Sequence, residues 1–381
     1  MTARKDILTI MTIMGTRPEI IRLSRIIPRL DTISNHVTVY TKQSYDYELS
    51  DVFFTELGLR KPDILLDVAA GTLGKQIGNV FSQVEDALTK VKPDAVVVLG
   101  DTNSALSAVL AKRMGITVFH LEAGNRSFDE HVPEEINRRI IDHVSDYNLA
   151  YTRHSKQYLL REGIHPATIF VIGSPLTEVF AHYRDRIALS TILDTLNLKK
   201  SAYFVASAHR QENVDTKEKL QQLCDSLESL SSVYTFPVVL SLHPRTKKRL
   251  EEFGIRLGPS IIVSKPLGYF DYNKLQQNSF CAISDSGTIQ EESAILQFPA
   301  VQVRVSSERP EAFDAGSIVV CGLHHDAVVH AIETVTGLRN EGIPIGMPDD
   351  YTNPYTSVKV ANIILGQTYI RKYHDFRIQS V

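Results

Sequence analysis

The chain has 381 residues, room for two domains of ~100–200 residues each and too many for one small module. Lys plus Arg number 41 against 44 Asp plus Glu, a formal net charge of −3, so no basic field draws nucleic acid or anionic lipid, and a DNA- or RNA-binding role is disfavoured. With 43% hydrophobic and 22% charged residues the composition suits sizeable folded cores and excludes global disorder.

In the first half, short apolar runs alternate with amphipathic segments, the pattern of βαβ units. Strands are predicted over 7–14, 37–40, 95–99, 117–121 and 147–150. Helices are predicted over 20–30, 72–89 and 104–114, long enough to be the crossovers that parallel strands require. The second half repeats the logic, with strands over 203–207, 238–242, 261–263, 281–284, 300–303 and 317–320 and helices over 217–230 and 290–296. The turn Gly173-Ser174-Pro175 is the expected joint, giving a first domain over 1–175 and a second over 176–365. A polar stretch over 344–354 precedes a final helix over 357–365, and a segment over about 366–381 is expected to cross back to the first domain. The fold class is therefore α/β, two Rossmann-like doubly wound domains with an interdomain cleft, and function is expected in the loops at the carboxyl ends of the strands.

Cys224, Cys281 and Cys321 lie far apart and form no C-x-x-C pair, so neither a zinc pattern nor a disulfide framework is visible, and a reducing cytoplasm fits. The N-terminal apolar stretch ends at Gly15, followed by Arg17 and Glu19 instead of a small-residue cleavage site. No window approaches the ~20 apolar residues that span a bilayer. A cytoplasmic protein without a signal peptide or membrane insertion is expected.

The first predicted strand ends in Gly15-Thr16-Arg17-Pro18-Glu19, where Gly permits close backbone approach and Pro18 presets a helical turn. A helix start beside Arg17, with Arg22 one turn on, suits an anion; it also reads as a simple turn with a surface Arg. Neither G-x-G-x-x-G nor G-x-x-x-x-G-K-[ST] is present, so this is not a dinucleotide fingerprint or a Walker loop. Gly100-Asp101-Thr102-Asn103-Ser104 sets a carboxylate at the tip of a buried strand, where an acid also serves as a helix cap. The next strand ends in Glu122-Ala123-Gly124-Asn125-Arg126, and two acids at one sheet edge make a plausible acid/base pair. Pro133 starts a helix with Glu134 and Glu135 in its first turn and Arg138 and Arg139 four residues on, an arrangement that the helix dipole and ion pairing also explain.

In the second half, His209-Arg210 and His243-Pro244-Arg245 follow strands, and a His there donates to a phosphate or relays a proton. Ser284-Asp285-Ser286-Gly287-Thr288 is the clearest phosphate signal: small residues lead into a helix whose free N–H groups grip an oxyanion, while Glu292 one turn in accepts from ribose hydroxyls. The bland alternative is a helix capped by Ser286. Arg309, in Glu308-Arg309-Pro310-Glu311, closes another strand with an Arg–Glu set that also reads as a surface ion pair.

Taken in order, G-T-R-P-E, G-D-T, E-A-G-x-R, P-E-E-x-N-R, H-R-x-E-N, D-S-G-x-x-Q-E-E and E-R-P-E span nearly the whole chain, and together they resemble the non-hydrolysing UDP-N-acetylglucosamine 2-epimerases. The resemblance implies a glycosyltransferase-B-type fold, a cytoplasmic homodimer, a UDP-N-acetyl sugar substrate and no metal or other cofactor. It implies that Arg17, His209, Ser286 and Glu292 hold UDP and that Asp101, Glu122 and Glu134 supply acid/base groups, with His209 also in the catalytic set. Arg22, Arg138, Arg210, His243, Gly287 and Arg309 complete the expected substrate-binding set. The stretch from Phe128 through Arg138, with Tyr45-Asp46-Tyr47-Glu48, is most similar to capsule and O-antigen enzymes that form UDP-N-acetyl-L-fucosamine. Family members usually carry T-G-Q where this chain has Thr41-Lys42-Gln43, and D-S-G-G where it has Thr288; the first departure lies where some members bind a regulatory UDP-N-acetylglucosamine.

Overall fold

The structure is a computed structural model that describes residues 7–42 and 53–374. Gln43, Tyr45, Asp46, Tyr47 and Glu48, and the last residues of the expected 366–381 return segment, lie outside the described residues. The chain divides into two units, Met1–Ala181 with Asp350–Val381, and His182–Asp349.

In the first unit the strands are β1 (Thr9–Met14), β2 (Asn35–Tyr40), β3 (Ile64–Leu65), β4 (Ala95–Leu99), β5 (Thr117–Leu121), β6 (Tyr147–Ala150) and β7 (Ile169–Val171). They pair in parallel in the order β3-β2-β1-β4-β5-β6-β7. Ala-Val-Val-Val-Leu in β4 and Thr-Val-Phe-His-Leu in β5 are buried at every position, as strands covered on both faces must be. The Leu73–Val91 helix covers one face through Val80, Val84, Ala87 and Leu88, spaced to form one stripe, against Val96, Val98 and Val118. Strand order reverses at β1 and β4, so the loops after these strands open at the switch point where such sheets receive ligands.

The second unit has β8 (Phe204–Ser207), β9 (Val238–Ser241), β10 (Ile261–Ser264), β11 (Cys281–Ser284), β12 (Ala300–Gln302) and β13 (Val319–Val320), parallel in the order β10-β9-β8-β11-β12-β13. Its switch point falls at β8 and β11, in register from Cys281↔Phe204 to Ser284↔Ser207.

The predicted helix over 20–30 is two helices, Arg17–Leu23 and Ile26–Ile33. Proline explains the break: in a continuous helix Pro28 would owe a hydrogen bond to the Ser24 carbonyl, whereas a restart at Ile26 puts Pro28 in a first turn, where no donor is needed. The expected joint at 175 and 176 is also shifted. The Pro175–Leu189 helix runs without interruption past the Ala181–His182 boundary, and the chain rejoins the first unit at Asp350 instead of near 366. The final helix, Thr356–His374, belongs to that unit: Glu178 accepts from the Ser357 N–H at 2.7 Å and its hydroxyl at 2.6 Å, and Lys372 pairs with Asp94 at 2.9 Å. Among the described residues no helix is long and apolar enough to cross a membrane.

Candidate active site

Glu19 organises the first unit's switch-point loops. Its Oε2 accepts from the N–H of Gly15 (3.0 Å) and the N–H and hydroxyl of Thr16 (both 2.7 Å), and its Oε1 from the Thr102 hydroxyl (3.2 Å), so one carboxylate ties the β1 loop to the β4 loop. Burial pushes its pKa up to about 7, against those hydrogen bonds, which pull the other way. Arg17 stands at the start of the helix, its guanidinium 5.4 Å from the Phe53 ring centroid.

Asp101 and Glu122 stand at the tips of adjacent strands, two residues and one residue beyond the Leu99↔Leu121 pair. Arg138 donates from Nη2 and Nε to Oδ2 of Asp101 (2.7 and 3.1 Å) and from Nη1 to Glu135 (3.1 Å). Asn137 donates to the Asp101 carbonyl at 2.9 Å. Glu122 has φ +67°, a left-handed backbone that a side chain adopts only when its surroundings impose it. Its Oε2 lies 3.6 Å from Nε of Arg22, whose guanidinium also packs over Tyr151, and its Oε1 accepts from the Asn125 amide at 3.2 Å. Behind this loop, buried His120 bridges the Gly100 carbonyl and Asp142 (both 2.8 Å), and Asp142 receives the Gly124 N–H and pairs with Arg126 at 2.7 Å.

Glu134 is half-buried and makes no hydrogen bond or ion pair among the described residues. Its neighbour Glu135 is the structural acid, 1% exposed, accepting from the Ser127 N–H (2.9 Å), Arg138 and Arg139. Arg22 and Arg138, expected to contact substrate, are 3% and 5% exposed and are turned onto Glu122 and Asp101. A guanidinium satisfied by a neighbouring carboxylate orients that acid, so both arginines first act on the acids.

In the second unit Asp285 plays the part that Glu19 plays in the first. Fully buried, its Oδ2 accepts from the N–H groups of His209 (2.9 Å) and Arg210 (2.8 Å) and the Asn213 amide (3.2 Å), pinning the β8 loop to the β11 loop. The His209 ring, 37% exposed, stacks on His243 with centroids 4.9 Å apart, and its Nδ1 lies 3.3 Å from Asp285. Nδ1 of His243 accepts the Arg245 N–H at the start of the Pro244–Phe253 helix.

The N-cap position of the Ile289–Leu296 helix is Thr288, whose side chain makes no cap bond, and not Ser286: the Ser286 hydroxyl pairs with that of Thr288 (3.0 Å) and accepts its N–H, forming a turn just before the helix. A Cβ on Gly287 would stand 2.4 Å from Oε1 of Glu308, which itself faces Arg210 at 3.5 Å, so a side chain here would have to push the Glu308 carboxylate aside. Glu292 accepts from the Gln276 amide at 2.8 Å. Arg309 is not a surface ion pair. It is 2% exposed, with Nε on the Gly287 carbonyl (3.1 Å) and Nη2 on Glu291 (2.9 Å), and so shapes the 285–288 turn from inside. Among the described residues no group of three or more His, Cys, Asp or Glu is placed to hold a metal ion.

Sequence reasoning gave no role to Glu19, Asn125, His120, Asp142 or Asp285. Glu19 and Asp285 stood inside quoted motifs, and their signal was a carboxylate facing the free N–H groups of a turn. Asn125 occupied a position where the motif admits any residue.

Two doubly wound parallel sheets with charged loop clusters at their switch points define an enzyme of the glycosyltransferase-B-type architecture. The model of the UDP-N-acetylglucosamine 2-epimerase family matches residues 29–365. Among solved structures, the UDP-N-acetylglucosamine 2-epimerase of Rickettsia bellii is 44% identical with a TM-score of 0.89, covering 98% of this chain and 100% of that one. The Methanocaldococcus jannaschii UDP-GlcNAc 2-epimerase, solved with UDP-GlcNAc and UDP, is 35% identical with a TM-score of 0.88, covering 94% and 100%. The UDP-2,3-diacetamido-2,3-dideoxy-D-glucuronate 2-epimerase of Pseudomonas aeruginosa is 34% identical over 334 residues, 86% of this chain and 92% of that protein. The chain belongs to the UDP-N-acetylglucosamine 2-epimerase family.

Proposed function

We propose that the protein inverts C2 of a UDP-2-acetamido sugar by eliminating UDP to a 2-acetamidoglycal and adding it back. The observation that carries the reading is the pair of arginine-oriented carboxylates, Asp101 and Glu122, at adjacent strand tips. The C2 hydrogen has no neighbouring carbonyl, so a carboxylate at pH 7 needs it acidified first. Cleavage of the C1–O bond sends its electron pair to UDP and builds oxocarbenium character at C1. One carboxylate then removes the C2 proton, leaving a C1=C2 double bond. A second group returns a proton to the opposite face of C2 while a UDP oxygen re-forms the bond to C1. Glu134, half-buried and unpaired among the described residues, is the third proton-handling group.

The leaving diphosphate needs stabilising as its charge develops, and we assign this to Arg17, His209, Arg210 and the helix terminus at Ser286-Gly287, with Glu292 on the ribose. His243 supports the His209 ring. The protein works as a cytoplasmic homodimer.

For the sugar, we take the 128–138 motif to favour the 6-deoxy-L-talo substrate that yields UDP-N-acetyl-L-fucosamine for capsule or O-antigen. The second reading is UDP-N-acetylglucosamine, which the names of the Rickettsia and Methanocaldococcus proteins favour. Proton NMR with UDP-N-acetyl-L-fucosamine and UDP-N-acetylglucosamine in parallel tests both: the substrate whose anomeric signal gives way faster to that of its C2 epimer is the one accepted. UDP accumulating with free sugar, and no epimer, would count against the mechanism.

A further inference from the structure

The loop after β5 holds Glu122 through a buried chain of polar side chains running back into the Arg153–Arg161 helix. The hydroxyl of Thr152, the N-cap of that helix, accepts the Ser155 N–H at 3.2 Å and lies 3.1 Å from the Ser155 hydroxyl. Ser155 Oγ donates to Oδ1 of Asn125 at 3.0 Å, and Nδ2 of Asn125 donates to Oε1 of Glu122 at 3.2 Å. Thr152 and Ser155 are 0% and 3% exposed and Asn125 is 5% exposed, so water does not compete for these groups.

The directions are forced. An amide has one acceptor and one donor end; with Ser155 donating to Oδ1, the NH₂ faces Glu122. Thr152 can then direct its own proton to Ser155 Oγ, so that every donor in the series points toward the Glu122 carboxylate, and each bond polarises the next. The backbone at Glu122 is left-handed, so its side chain leaves the strand at an angle that ordinary strand packing does not fix. Arg22 approaches Oε2 at 3.6 Å. Asn125 donates to the other oxygen, Oε1, at 3.2 Å and so sets its direction.

We propose that Asn125, held by Ser155, is a positioning residue that fixes the carboxylate of Glu122 for proton transfer at C2. The proposal rests on the reading of Glu122 as a proton-handling group. It concerns how that group is aimed and adds no group that touches substrate.

The test is a double-mutant cycle on Asn125→Leu and Ser155→Ala, with kcat, KM and thermal unfolding measured for each enzyme on the substrate that turns over. Leu keeps the size of Asn and removes the donor. Asn125→Leu is expected to lower kcat by ~10–100-fold, the scale of loss from a misaimed reacting group, with KM within about threefold. Ser155→Ala should lower kcat less and add under about twofold once Leu is at 125, because both act through one chain. Asn125→Gln, which keeps an amide on a longer stem, should recover part of the loss. Equal falls in kcat and 1/KM, effects that multiply in the double mutant, or a kcat loss that follows only a fall in melting temperature would overturn it. Deuterium exchange at C2 by the unmodified enzyme separates the two layers: its absence removes the reading of Glu122, whereas its presence with an unaffected Asn125→Leu enzyme removes the positioning role alone.

Discussion

Gly124→Ala separates two costs that are usually confounded. Gly124 has φ +82°, and a Cβ there would lie 2.4 Å from the Ser155 carbonyl oxygen, 2.9 Å from its carbonyl carbon and 2.8 Å from Cγ of Leu159. Two of those atoms are helix backbone, which cannot swing aside. The left-handed conformation costs an L-residue about 1–2 kcal/mol, and forcing atoms into a packed site adds about 1–3 kcal/mol. The total is about 2–5 kcal/mol, and for a unit of this size each kcal/mol lowers Tm by roughly 2–4 °C. Gly163→Ala is the internal control: φ is +85°, yet a Cβ there meets nothing within 4 Å, so only the conformational cost applies. Thermal unfolding of both variants, followed by circular dichroism, should show Gly124→Ala less stable than Gly163→Ala by at least ~1 kcal/mol. Equal losses within experimental error would refute the packing argument. A smaller loss at Gly124 would mean the β5 loop gives way, which the account of a rigid Glu122 does not allow.

Asp101→Asn or Glu122→Gln should leave UDP affinity within a few-fold by calorimetry while turnover falls by ~10²–10⁴-fold, as loss of a general acid or base does; an equal loss of UDP affinity would show that the acids bind instead of reacting. His209→Ala should weaken UDP binding and turnover together. Gly287→Ala should displace Glu308 from Arg210 and weaken UDP binding more than it lowers stability, measured by calorimetry beside thermal unfolding. Glu19 gives a pH signature: its pKa of about 7 when folded lies above the ordinary 4.5, so the native state holds a proton that the unfolded chain has lost between these values. Its contribution is complete below pH 4.5 and fades as pH rises to about 7, by up to about 3 kcal/mol, so the stability difference between the native chain and Glu19→Gln should shift in favour of the variant across that window in denaturant titrations.

Much of the fold was legible because its central strands are long apolar runs that end at Gly, Asp or Ser: β4, β5, β8, β9 and β11 all sit within one residue of the predicted spans. The edge strands of the first unit were not. β3 has two residues and β7 three, too few to display any period. Pro28 carried the signal for the break at Ser24, but the amphipathic pattern runs through it and masks it. In the sites, residues presented by strand ends were readable as loop motifs, and the structure brings Asp101 and Glu122 together at one edge. The orientation of the arginines was not readable, because a guanidinium shows its partner only in three dimensions: Arg138 meets Asp101 across 37 positions, and Arg309 meets the Gly287 carbonyl across 22. Asn125 was hidden for a related reason, since its contact to Glu122 depends on a left-handed residue that nothing in local propensity announces.

Incorporation of solvent deuterium at C2 tests the central claim most directly. The enzyme is incubated in D₂O with each nucleotide sugar and the C2 proton followed by NMR as the epimer forms. The account predicts that every molecule of product epimer carries deuterium at C2. Epimer that retains its original proton would contradict the exchange-competent elimination and re-addition on which the roles of Asp101, Glu122 and Glu134 are built.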